Sequence, residues 1–323
     1  MGGGGGPAGW GGAIAVVPYE MYKIYGDKET FRRYLPKILR YFDYLDSRSS
    51  GGLVCREEEG GWCLGDWCPP EQITICEPFV NTALYVKQMM MTKEASEAIG
   101  ESETAAMLEK RIEEKKQAIL NAYYSPQTGS FIGDAQGANS FAVDIGLGGE
   151  RAFNNTKKKY DAADAFDTGI FGTDILTRVL FERGCADTAF RLLTSTGKGS
   201  FYNMKKQGAT TIWENWDGER SHSHPMFGAV TRYLFSFILG ITQEKNSAGY
   251  EKIVIAPQIP DGLNRASGHI TTVRGEIAVS FIRTAREMDF YVTVPQKAWF
   301  TYGSDCEYEL WEGENHIHID FEE

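Results

Sequence analysis

The chain has 323 residues, 42% of them hydrophobic and 13% aromatic, and a net charge of −11 at pH 7, with a pI of about 5.1. An acidic chain with no basic block is a poor partner for nucleic acid or an anionic membrane surface, and no apolar run reaches membrane-spanning length. The size suffices for a large core and favours more than one domain. The opening stretch, MGGGGGPAGWGGAIAVVP, has neither a basic n-region nor a small-residue cleavage site behind an apolar segment, so a cytoplasmic location is expected. Six cysteines are present, and Cys55, Cys63, Cys68 and Cys76 cluster without the close Cys-x-x-Cys pairs of a zinc site. Free thiols in a reducing compartment are expected, with no metal and no cofactor.

From Pro18 to about Ile241 the pattern is helical. YEMYKIYGDKETFRRYLPKILRYFDYLDSR spaces apolar residues three and four apart and is split near Gly26-Asp27. Thr74 to Met91 reads as a helix, and Glu101 to Tyr124 as an amphipathic one with a solvated charged face. Asn139–Leu147, Thr173–Arg183, Asp187–Thr194 and Met226–Leu239 follow, joined by glycine-rich loops. Such helices suggest stacked hairpins or a toroid of them. After GITQEKNSAGYEK the texture changes. Short β-prone runs separated by turn residues, from KIVIAPQIP to HIHIDF, read as a small antiparallel sandwich. The expected division is residues 1–245, a helical domain, and 246–323, a β domain.

A helical toroid offers one natural site, the funnel where its loops converge. Three loops here combine aromatic rings with acids. One carries Trp62, Asp66, Trp67 and Glu71; another carries Asp167, Thr168, Phe171 and Asp174; the third carries Glu214, Asp217, His222 and His224. Trp10 precedes them. Indole faces stack on the C–H faces of a pyranose, while carboxylates hold hydroxyls or act as acid and base, so a sugar site is expected. Each residue also has a plainer reading. A tryptophan usually fills core, Asp167 and Asp174 could cap helices, and Glu71 after Pro69-Pro70 could open one. His222 and His224, two apart, make no zinc pair. Glu214 resists such readings: in TTIWENW it stands between Trp213 and Trp216, and a carboxylate among indoles is costly without a partner or a function.

At these residues the sequence resembles glycoside hydrolase family 78, the inverting α-L-rhamnosidases. GATTIWENWDG is similar to the family's late motif, and VVPYEMYKIYGD, LGDW, NTALY, TGIFGTDILTRVLFERG, HPMFGAV, LGI, IAPQIPDGL and TVRGEIAVSF follow the family's order. The resemblance runs from about Trp10 to the end. It implies an (α/α)6 toroid, here incomplete, followed by a small β-sandwich. It implies hydrolysis of terminal α-L-rhamnosides with inversion, with Glu214 as the base that activates water. Trp10, Trp67, Asp66, Trp213, Trp216 and His224 become substrate-binding candidates, and rhamnose-containing glycosides the partners.

Two departures accompany the resemblance. Gly12 stands where the family has an aspartate, and the family's general acid lies in an upstream Asp-Glu-Arg segment that has no counterpart here. Impaired catalysis is therefore expected, together with self-association or a partner chain that supplies the remaining toroid. A non-catalytic carbohydrate-binding remnant, one half of a split rhamnosidase, and a different helical-toroid glycosidase such as an unsaturated glucuronyl hydrolase stay open as alternatives.

Overall fold

A computed structural model describes residues 8–55, 65–303 and 306–321; Trp62 and Cys63 lie outside them. The chain forms two compact units that interleave along the sequence. One comprises Met1–Glu20, Lys28–Val179 and Arg191–Ala229, the other Met21–Asp27, Leu180–Phe190 and Val230–Glu323.

The helices open with α1 (Ala13–Tyr25) and α2 (Lys28–Ser47), divided at Gly26-Asp27 as the spacing predicts. α2 buries Phe31, Leu35, Ile38, Phe42 and Leu45, a stripe with steps of four and three residues. The short strands β1 (Ser49–Ser50) and β2 (Leu53–Val54) follow, then α3 (Glu77–Ala98) and α4 (Ser102–Tyr123). α3 starts at Pro78's turn rather than at Thr74, since proline has no N–H to lose in a first helical turn. It is buried nearly all round, through Phe79, Val80, Tyr85, Val86 and Met89. The hairpin β3 (Tyr124–Ser125) and β4 (Ser130–Phe131) leads to α5 (Ala138–Asp144) and α6 (Gly149–Asp161). α6 is absent from the sequence-based reading, although it buries a stripe of Ala152, Phe153, Thr156 and Tyr160, because only two of those four are large apolar or aromatic residues. At the end of α5, Asp144 accepts Lys87 Nζ at 2.8 Å and Arg178 Nη2 at 2.7 Å, so one buried carboxylate cross-links three helices.

α7 (Ile170–Glu182), α8 (Ala186–Leu193) and α9 (Phe201–Lys206) follow. Met226–Leu239 is not one regular helix. It passes through a 3-10 stretch, a single α turn and a π turn at Leu234–Ile238.

In the second unit, β5 (Ile241–Gln243) and β6 (Ile253–Ile255) begin one sheet, so strand structure starts ahead of residue 246. β7 (Arg265–Thr272), β8 (Gly275–Arg283) and β9 (Glu287–Val294) form the other, β10 (Ala298–Tyr302) and β11 (Cys306–Leu310) return to the first, and β12 (Gly313–Asp320) closes the second. The strand orders are β11-β10-β6-β5 and β12-β9-β8-β7. One pairing departs from the expected antiparallel pattern: β10 runs parallel to β6. The chain leaves β6 for the other sheet and comes back to β6's open edge, where a hairpin turn cannot reach. Phe290 meets Phe300 at 4.9 Å and Tyr302 at 5.3 Å, which joins the inner faces of the two sheets. The flanking helical pieces belong to this unit through backbone contacts. Gln258 Nε2 donates to Phe181 O at 3.1 Å, and Lys23 Nζ to Ser247 O at 2.9 Å.

Phe290 is fully buried at that inter-sheet junction. Phe290→Ala should cost about 3–5 kcal/mol, the scale of a truncated core ring. Urea unfolding of the β unit measures it, and a loss under about 1 kcal/mol would contradict a packed sandwich core.

Candidate active site

A helix begins with backbone N–H groups that have no partner within it. In α7 those donors are met by a distant side chain. Asp66 accepts Gly169 N at 2.7 Å on Oδ2, and Phe171 N at 3.0 Å and Gly172 N at 2.9 Å on Oδ1. The carbonyl of the next residue, Trp67, accepts Ile170 N at 2.8 Å. Glycine is required at two of these places. A Cβ on Gly169 would stand 2.2 Å from Trp67 O, and one on Gly172 would stand 2.5 Å from Asp66 Oδ2. Asp66 has no exposed surface. Burial pushes its carboxyl up to about 7, against the pull of the three N–H donors.

This clamp sets the position of Trp67. Its indole Nε1 donates to Glu214 Oε1 at 3.3 Å, and Ser221 N donates to Glu214 Oε2 at 3.3 Å. The Arg220 guanidinium lies 4.7 Å from the centre of the Trp67 ring, within cation–π range. Between Trp67 and the clamp's following turn, Cys68 takes a left-handed backbone (φ 60°). Burial pushes its thiol up to about 12, so it is no nucleophile near neutral pH.

Glu214 sits in an irregular hairpin. Its own N–H reaches Ser221 O at 2.9 Å, and His224 N reaches Ile212 O at 2.9 Å. The two tryptophans beside it in sequence turn away from it. Trp213 is 5% exposed and stacks on His222, ring centres 4.4 Å apart. Trp216, 1% exposed, packs among Phe166, Phe201 and Phe227, and its Nε1 donates to Thr168 O at 3.1 Å. The indole that meets the carboxylate is therefore Trp67, from another loop.

Trp10 is 39% exposed and lies edge-on to Phe171 at 6.4 Å and to His224 at 6.1 Å. His224 Nδ1 is buried without a hydrogen-bond partner. Neither Asp167 nor Glu71 takes the plain role weighed for it. Asp167 accepts Tyr160 Oη at 2.6 Å and pairs with Lys159 at 2.8 Å. Glu71 precedes α3 and pairs with Lys198 at the surface.

Sequence reasoning missed Arg220, Ser221 and Gln136. Gln136 Oε1 accepts Thr74 N at 2.8 Å and Ile75 N at 3.1 Å, and its Nε2 donates to Gln72 O at 3.2 Å. It ties down the far end of the loop that Asp66 ties at the near end. Gln136 does so from a turn with left-handed backbone at Ile132, Asp134 and Gln136 itself, conformations that cost energy and persist only where the surroundings enforce them. A glutamine in a glycine-rich stretch gives no advance sign of such a role.

Two family models cover this chain. The bacterial alpha-L-rhamnosidase 6 hairpin glycosidase domain matches residues 2–238, and the bacterial alpha-L-rhamnosidase C-terminal domain matches residues 240–300. The chain belongs to the bacterial α-L-rhamnosidase family. The alpha-L-rhamnosidase of Alteromonas sp. (strain LOR) is 26% identical over 314 residues, which are 89% of this chain and 33% of the relative. That of Streptomyces avermitilis is 28% identical over 291 residues, 85% of this chain and 26% of the relative. The chain thus spans about a third or less of the length of these curated relatives. Among solved structures, the S. avermitilis alpha-L-rhamnosidase complexed with L-rhamnose superposes with a TM-score of 0.84 at 22% identity, over 96% of this chain and 33% of that one. The alpha-L-rhamnosidase from Dictyoglumus thermophilum gives 0.86 at 17% identity, over 98% and 40%. These likenesses show the fold: helical hairpins of a partial six-hairpin toroid followed by a C-terminal β domain.

The Asp66 clamp has a signature in pH. Its folded pKa lies above the ordinary 3.8, so its contribution is fully present below 3.8 and is lost as pH rises through about 7. Asp66→Ala strands three buried N–H donors and should cost about 3 kcal/mol or more, at about 1–3 kcal/mol per donor. The gap between wild type and variant should narrow as pH rises from 4 toward about 7. Denaturant melts across that range test this, and a gap that widens with pH would refute it.

Proposed function

We propose that the chain acts on terminal α-L-rhamnosides, with Glu214 as the base that activates the attacking water and hydrolysis by inversion. The observation that carries this reading is the way Glu214 is held. An indole N–H and a backbone N–H each fix one carboxylate oxygen, and a base with a fixed rotamer can aim at a single water. Trp10, 39% exposed, forms an aromatic corner with Phe171 and His224. Trp67 serves as sugar-facing ring and as carboxylate holder. We assign Asp66, Trp213 and Trp216 a supporting part instead: each is buried and spends its polar or aromatic surface on the loops that carry the others.

Hydrolysis also requires an acid to protonate the leaving oxygen, and none of the residues assigned above takes that part. A positioned acid contributes on the order of 10²–10⁴ in rate, so aryl rhamnosides with activated leaving groups should outpace alkyl ones by about that factor. Glu214→Gln should abolish turnover of the activated substrate, since the amide cannot take a proton, and should lower stability only by the one hydrogen bond, roughly 0.5–1.5 kcal/mol, that its NH2 cannot accept. Wild-type turnover in that variant would remove Glu214 from the role.

The second reading, sugar binding without hydrolysis, draws on the same corner of Trp10, Phe171 and His224. Calorimetry with L-rhamnose separates the two: binding without any turnover of activated substrate favours the second.

A further inference from the structure

On the outer face of the β unit, β9 and β12 pair so that Glu287 stands directly opposite Asp320, and Asp289 directly opposite His318. Like charges directly opposite on one face of an antiparallel pair are destabilising. Two carboxylates in that relation call for a cation between them. The nearest candidate is His318. Its Nδ1 lies 2.9 Å from Asp289 Oδ1, and its Nε2 lies 3.2 Å from Asp320 Oδ1. Donor atoms of Glu287, His318 and Asp320 lie within 4.8 Å of one another. Asp289 completes the pattern from the side. A carboxylate that accepts the N–H on one imidazole nitrogen leaves the lone pair of the other free, the arrangement by which metal-ligating histidines are oriented. Asp289 also takes His316 Nε2 at 2.7 Å, which occupies the neighbouring imidazole.

We propose that Glu287, His318 and Asp320 form a surface site for a divalent transition-metal ion such as Zn2+. One imidazole nitrogen and two carboxylate oxygens suit that class of ion, whereas Mg2+ and Ca2+ ask for six or more oxygens. Bonds of about 2.0–2.2 Å around a tetrahedral ion put its ligand atoms about 3.4 Å apart. The three side chains therefore close inward on binding, and their partial to full exposure leaves them room to do so. Water completes the coordination. β12 is an edge strand of its sheet, so the ion would staple an edge to its neighbour and convert a repulsion into a bond. Asp289 and then Asp320 raise the pKa of His318 above its ordinary value, so an ion at its imidazole competes with a proton.

The test is isothermal titration of the full chain with Zn2+ at pH 7.5, wild type against single variants. Cys55, Cys68, Cys76, Cys185 and Cys306 are free thiols and contribute equally to every titration, so the readout is the difference. His318→Ala should lose one stoichiometric site, and Glu287→Gln should weaken that site at least 10-fold. Asp289→Asn, which touches the ion only through His318, should weaken it by about 10–100-fold. His316→Ala should leave the site intact. Saturating Zn2+ should also raise the melting temperature of the wild type, reversibly with a chelator, and leave that of His318→Ala unmoved. Wild-type binding in His318→Ala, or loss of the site in His316→Ala alone, overturns the proposal.

Discussion

The first N–H groups of α7 need acceptors, and Asp66 provides them from a loop more than a hundred residues upstream in sequence. Much of the candidate site depends on that one requirement. A buried carboxylate is expensive unless fully satisfied, so its three donors fix the loop in one place. With Asp66 fixed, Trp67 is fixed, and with Trp67 fixed one oxygen of Glu214 is fixed. Gln136 closes the other end of the same loop through three hydrogen bonds. The site is thus positioned by two buried polar side chains, Asp66 and Gln136, while the groups nearer the surface include Trp10, Glu214 and the exposed Arg220 over the Trp67 ring.

The fold was largely legible because its signals are periodic. The four-and-three stripe of α2 and the alternation in β8 and β9 follow from burying one face. Less was legible where the signal is weak: in α6 the buried stripe is carried partly by alanine and threonine, and the Met226–Leu239 stretch has a helical composition but turns that change from 3-10 to π. The parallel pairing of β10 with β6 was also hidden, because strand order is a long-range property that no local pattern encodes.

The candidate site was legible in its types and less so in its assignments. Aromatic and acidic residues in glycine-rich loops single out three loops, which the structure links through Asp66 to the start of α7 and through Trp67 to Glu214. Adjacency in sequence then misled. Trp213 and Trp216 flank Glu214 along the chain, yet the backbone of the hairpin turns both rings inward, toward His222 and toward Phe166, Phe201 and Phe227. The ring that reaches the carboxylate comes from 147 residues away. Asp66 reads from the sequence as a sugar ligand because a carboxylate beside an indole gives the same pattern whether it faces a ligand or a helix end; in the structure it is buried against the first N–H groups of α7.

The Asp66 clamp also reverses an ordinary gradient along a helix. First-turn amides usually face water and trade their hydrogens for deuterium early, because nothing within the helix holds them. The amides of Gly169, Phe171 and Gly172 instead point at a carboxylate sealed from solvent. Deuterium can reach them only when the loop bearing Trp67 lifts away. Their exchange therefore clocks the opening of that loop, and the start of α7 becomes a built-in reporter on how often the wall of the site comes undone.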